Sequence, residues 1–135
     1  MQDEPRPDEL IKAVADFLRE QVAPQLTGHA AFKLRVGINA LDLVTRQLTL
    51  TQASDTDELA RLKELLGHDG ALHDLNRELS ERIASGAMDL STPGLQDHLW
   101  RTTLAKLAVD QPNYASYRRE LEGAGQHLSA NAPSS

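Results

Sequence analysis

The sequence predicts an all-α fold: a single-domain bundle of about five to six helices around a central, mostly buried second helix. Three observations carry this. Leu, Ala, Val and Ile supply most of the 40% apolar content, with only five aromatics (Phe17, Phe32, Trp100, Tyr114 and Tyr117), a balance that suits helix-on-helix packing better than a β-sandwich. Apolar residues recur at three and four positions, and no strand-like alternation lasts more than a few residues. Proline and glycine punctuate these stretches where helices start and stop.

The first helix is expected from Pro7 to Val22. Pro7 suits a first-turn position, Asp8 and Glu9 favour the positive end of the helix, and Leu10, Ile11, Val14, Phe17, Leu18 and Val22 form one stripe. Pro24 and Gly28 close it. A second helix from His29 to Leu48 is apolar nearly all round, leaving a polar strip of Arg35, Asn39, Asp42 and Arg46, and such a helix is usually the central one.

The stretch SDTDE offers acidic caps for a third helix, Asp57 to Leu66, which Gly67 ends. A fourth, Ala71 to Ser85, carries Leu72, Leu75, Leu79 and Ile83 and stops at Gly86. Thr92 and Pro93 read as N-cap and first helical residue of a fifth helix reaching Asp110, beyond which Pro112 prevents continuation. A short sixth segment, Asn113 to Leu121, ends at Gly123. Residues 1–122 are thus expected to form the bundle and 123–135 a flexible tail.

At 135 residues the chain has room for one real core, with about two-thirds of the unfolded surface buried on folding. A net charge of -6 with scattered Lys and Arg opposes binding to nucleic acid, which needs a concentrated basic surface. Without cysteine there is neither a disulfide nor a thiol nucleophile. The acidic start MQDEPRPDEL is not a secretory signal, and no apolar run approaches 18 residues. A soluble, cytoplasmic protein that does not engage a membrane is expected.

Catalytic signatures do not emerge. His29, His68, His73, His98 and His127 lack metal-ligand spacing, so surface or capping roles are expected of them and neither a metal nor another cofactor is implied. The glycines are dispersed, and no nucleophile elbow occurs. No catalytic residue is assigned, and a non-enzymatic module is the more economical reading.

The polar positions that remain are specific. Leu99, Thr103, Lys106 and Asp110 share one sector of the fifth helix, with Lys106 and Asp110 spaced to pair and Thr103 placed to bond back to the carbonyl of Leu99. This sector is either a solvated face or a seam against the Arg35, Asn39, Asp42 and Arg46 strip. The seam would be a satisfied internal network or the wall of a small pocket for an anionic ligand. Asn76 falls within the arc of Leu72, Leu79 and Ile83, flanked by Arg82, as a core asparagine that needs partners. Tyr114 and Tyr117 follow Pro112 and can fold back onto the fifth helix.

The blocks RPDELIKAVADFLREQVAP, AFKLRVGINAL, LNRELSERIASGAMDL and TTLAKLAVDQPNYASYRREL resemble the successive signature blocks of an uncharacterised bacterial family of small helical proteins, a domain of unknown function. The likeness spans Gln2 to Leu121 and is loose between Leu48 and Leu66. Family members are encoded beside or fused to aminoglycoside-phosphotransferase-like kinases, often near acyl-CoA dehydrogenases. The family's recurring polar positions would fall on Arg35, Asn39, Asn76, Arg82, Lys106, Asp110 and Tyr114. The resemblance implies an accessory to such a kinase or to an acyl-CoA-metabolising partner. The alternative is a small-molecule binder or enzyme holding an anionic or acyl-CoA-related ligand with Arg35, Asn39, Lys106 and Asp110. A homodimer built on one apolar face is compatible with either.

Overall fold

The computed structural model describes residues 4–130, with side chains over 4–124. It is all-α among the described residues: α1 (Pro7–Phe17), α2 (Gly28–Leu66), α3 (Leu72–Ala84), α4 (Leu95–Asp110) and α5 (Ala115–Ala130). They gather into two compact units, Met1–Asp57 and Glu58–Ser135.

The first unit pairs α1 with the N-terminal part of α2. Pro7 opens α1 as the sequence predicts, and Glu9 accepts a hydrogen bond from the backbone N–H of Arg6 at 2.9 Å. Pro24 has no N–H to continue the ladder. The chain answers with a π turn over Leu18–Val22 and a 3₁₀ turn over Ala23–Gln25, where the N–H of Leu26 reaches the carbonyl of Ala23. Ala15 and Ile38 are the buried apolar residues of this unit, and Ile11, Leu18, Leu34 and Leu41 are half-buried. Arg19 in the π turn reaches across to α2, its guanidinium donating to both carboxylate oxygens of Asp42 at 2.9 and 2.7 Å.

Two expectations change in α2. The separate second and third helices are one 39-residue helix, uninterrupted through the polar stretch TQASDTDE. No glycine or proline interrupts that stretch, and its hydroxyls bond back to their own helix: Thr49 to the carbonyl of Thr45, Ser54 to that of Thr51 and Thr56 to that of Gln52. Residues that would cap a helix are accommodated inside one in this way. The N-terminal half of α2 is also not the buried centre. Phe32, Val36, Val44, Leu48 and Leu50 are exposed, because within this unit α1 covers one side of a helix that is apolar on several.

The second unit holds the main core. Leu62 and Leu66 from α2, Leu75 and Leu79 from α3, Met88 from the connection and Leu95 from α4 form one buried cluster, flanked by Leu59, Leu65 and Leu72. Gly67 and Gly86 end α2 and α3 at φ of +81° and +78°, the left-handed backbone that closes helices. The fifth predicted helix begins at Leu95, later than Thr92 and Pro93 suggest. Thr92 instead closes a turn: its hydroxyl accepts from the N–H of Asp89 and its carbonyl from the N–H of Leu95. Gly94 takes the N-cap position at φ +85°. Pro112 separates α4 from α5 as expected. Helix α5 passes Gly123 and Gly125, since each interior glycine costs only about 1 kcal/mol and no proline lies between Ala115 and Ala130. Beyond residue 130, the tail for which mobility is expected lies outside the described residues.

Candidate functional site

Helix α4 turns a mixed face inward. Leu95, His98 and Val109 are buried, with Thr102 and Ala105 half-buried, at the three- and four-residue spacing of one helical stripe. His98 retains 2% of its exposure, which overturns the surface or capping role expected of it. It lines a cleft of about 340 Å³ with Arg61, Glu64 and Leu65 of α2 and with Pro93, Gly94 and Asp97 at the start of α4.

Polar satisfaction in this cleft is incomplete. Nδ1 of His98 and Nε of Arg61 are buried nitrogens without a hydrogen-bond partner in the protein. Such groups are rare in native proteins, because leaving one unpaired costs about 1–3 kcal/mol. Arg61 spends one long bond on Thr102, from Nη2 to Oγ1 at 3.4 Å, and no carboxylate pairs with it among the described residues. Two neighbouring acids are engaged elsewhere: Glu58 accepts from Asn76 at 2.7 Å, and Asp97 pairs with Arg101 at 2.9 Å.

Burial is the largest cause that lowers the His98 pKa below the ordinary imidazole value, and the Arg61 charge adds to it against Glu58 and Asp97. The folded state therefore holds His98 neutral. The unfolded chain binds its proton more readily, so this group costs stability as pH falls below the ordinary value near 6.5 and is neutral in effect above it. The surface His68 has the opposite sign. The carbonyl of Asp69 and then the Glu78 carboxylate raise its pKa, so its contribution is present at low pH and lost as pH rises. Lowering pH from about 7 to about 5 is expected to reduce Tm less in His98→Gln than in the parent, both retaining the His68 term. Parallel Tm profiles for the two proteins would show that His98 does not titrate with folding.

The residues the sequence singles out fall in separate places. Arg35 and Asn39 belong to the first unit and are exposed; Lys106, Asp110 and Tyr114 belong to the second and are also exposed. An internal network through Arg35, Asn39, Asn76, Lys106 and Asp110 would need them buried; of the five Asn76 alone is even half-buried, and none lines the Arg61 cleft. Among the described residues no ion pair joins Lys106 to Asp110. Their sector is a solvated face, with Thr103 bonded back to the carbonyl of Leu99 at 2.8 Å as its spacing suggests. Asn76 is half-buried and finds its partner in Glu58, while Arg82 pairs with Glu78 at 2.5 Å, and Glu78 also binds His68 at 2.9 Å. Tyr117 is half-buried. His127 lies outside the described side chains.

Residues 24–114 match a domain of unknown function, DUF6285. The chain belongs to that family. The DUF6285 segment takes in α2, α3 and α4 and stops at Tyr114, leaving α1 and α5 outside it, a narrower span than the resemblance from Gln2 to Leu121. No curated protein and no solved structure matches the chain. Among the described residues no three His, Asp or Glu side chains gather as a metal site would require. No helix among them is long and apolar enough to cross a membrane.

Proposed function

We propose that this DUF6285 protein is a non-enzymatic accessory module that docks through its N-terminal helical pair onto a helical, apolar and acidic surface of a partner. The partner class is the one the family resemblance implies, a phosphotransferase-like kinase or an acyl-CoA-metabolising protein. One observation supports this above the others: Phe32, Val36, Ala40, Val44 and Leu48, every fourth residue of α2, are all exposed, and Leu10, Val14 and Phe17 are exposed on α1. Apolar rows on this scale mark surfaces that another molecule covers. Lys33 and Arg35 sit beside the row and form no ion pair among the described residues, so a complementary surface would carry carboxylates.

Co-expression of the chain with a purifiable kinase-like protein of the same genome tests the reading. Val36→Asp places a charge in the middle of the row at a position 53% exposed, so the variant is expected to keep the parent's stability within about 0.5 kcal/mol yet fail to co-purify. Co-purification unchanged by Val36→Asp would refute docking through this row. Light scattering that finds a stable dimer of the chain alone, with no partner bound, would assign the row to a second copy instead.

A further inference from the structure

We propose that the cleft between α2 and the start of α4 in the second unit is a binding site for a small monocarboxylate, held by the Arg61 guanidinium and the His98 ring. This stands apart from the docking surface, which belongs to the other unit, so either can fail alone. Three independent features converge on an anion. The guanidinium of Arg61 offers five donors in a planar fork, uses one in a 3.4 Å bond, keeps Nε buried and unpartnered, and faces no paired carboxylate. His98, at 2% exposure, lines the same cleft with Nδ1 unpartnered.

The third feature is backbone. Pro93 and Gly94 bring the N-terminus of the 16-residue α4 to the cleft; its N-cap glycine has no capping side chain, and of the first-turn N–H groups that of Leu95 already donates to the carbonyl of Thr92. Uncapped helix N-termini favour negative charge. His98 stays neutral, in line with its lowered pKa, so the cleft carries no second fixed cation beside Arg61.

The choice of a carboxylate over phosphate follows from shape and charge. A single guanidinium fork matches a planar carboxylate with two parallel N–H···O bonds. Glu64 and Asp97, which also line the cleft, oppose a dianion more strongly than a monoanion. Leu65 and the Pro93 ring provide apolar walls for a short alkyl group.

The test is an NMR titration of the full chain, reading the Arg61 Nε–H and the His98 ring signals as sodium butyrate is added at constant ionic strength. A saturable shift of both, absent with chloride alone, is the expected result. In Arg61→Gln the affinity is expected to fall at least about tenfold. Arg61→Lys, which keeps the charge and loses the fork, replaces it should the glutamine variant not fold. No saturable shift, a shift reproduced by chloride, or butyrate affinity unchanged in the variant would overturn the site. Inorganic phosphate binding more tightly than butyrate would overturn its assignment to carboxylates.

Discussion

Leu62→Ala is expected to lose about 2–5 kcal/mol of stability, measured by urea unfolding followed by circular dichroism. Leu62 is fully buried and lies in the cluster that joins α2, α3, the Met88 connection and α4. Truncation removes its transfer free energy and leaves a cavity whose walls come from four separate pieces of chain, so collapse around it requires each to move. Position Leu59, one turn earlier, packs at the edge of the same cluster and stays half-buried. Leu59→Ala is the internal comparison, and its smaller loss separates the effect of burial from that of helix propensity, which alanine only improves. A loss at Leu62 no greater than that at Leu59 would show that the buried cluster is not the core of the second unit.

Gly94→Val is expected to be the second most damaging change, of the order of 2 kcal/mol, through the backbone rather than the core. Gly94 holds φ at +85°, a conformation that a β-branched residue resists, and it also sets where α4 begins. A Cβ there meets nothing nearer than Leu65 Cδ1 at 3.7 Å, so crowding is not the cause. Gly94→Asn, a residue that tolerates the left-handed region, is expected to recover much of the loss in a thermal melt. Equal losses for valine and asparagine would contradict a conformational origin. The valine variant also moves the start of α4, so it is expected to weaken any ligand response in the Arg61 cleft.

How much of this was legible beforehand depends on the kind of signal. Helix punctuation by proline and glycine was readable because those residues act locally: Pro7, Gly67, Gly86 and Pro112 each fall where the structure needs them. Serine, threonine and aspartate carry no such certainty. The same hydroxyls that cap a helix bond back within one, so the stretch from Thr49 to Thr56 reads as a break and folds as the middle of α2. Thr92 misled in the same way, since its hydroxyl serves the turn at Asp89 rather than the first N–H groups of α4.

The polar residues divide on similar grounds. Asn76 was visible because it interrupts an apolar arc, and an interruption on a buried face demands a partner, which Glu58 supplies. His98 escapes a reading of α4 by its large apolar residues, the largest of which is Trp100. Trp100 is in fact 51% exposed. The inward stripe of Leu95, His98, Thr102, Ala105 and Val109 has the right spacing but contains two polar and one small residue, so its apolar weight is modest. Its period was the available signal. Arg61 gave none, since an arginine in a charged helical stretch is ordinarily solvated. The exposure of the α2 row was also hidden: all-round apolar character says that a surface is covered, not that the cover belongs to the same chain.

The most direct test of the central claim, that this row is a docking surface, is calorimetric titration of the chain into the purified kinase-like partner at several temperatures. Saturable binding with a negative heat-capacity change, abolished by Val36→Asp and weakened by added salt, is the result that burial of an apolar row flanked by Lys33 and Arg35 requires. Binding that retains its heat-capacity change in the Val36→Asp variant, or no binding to any such partner, would contradict it.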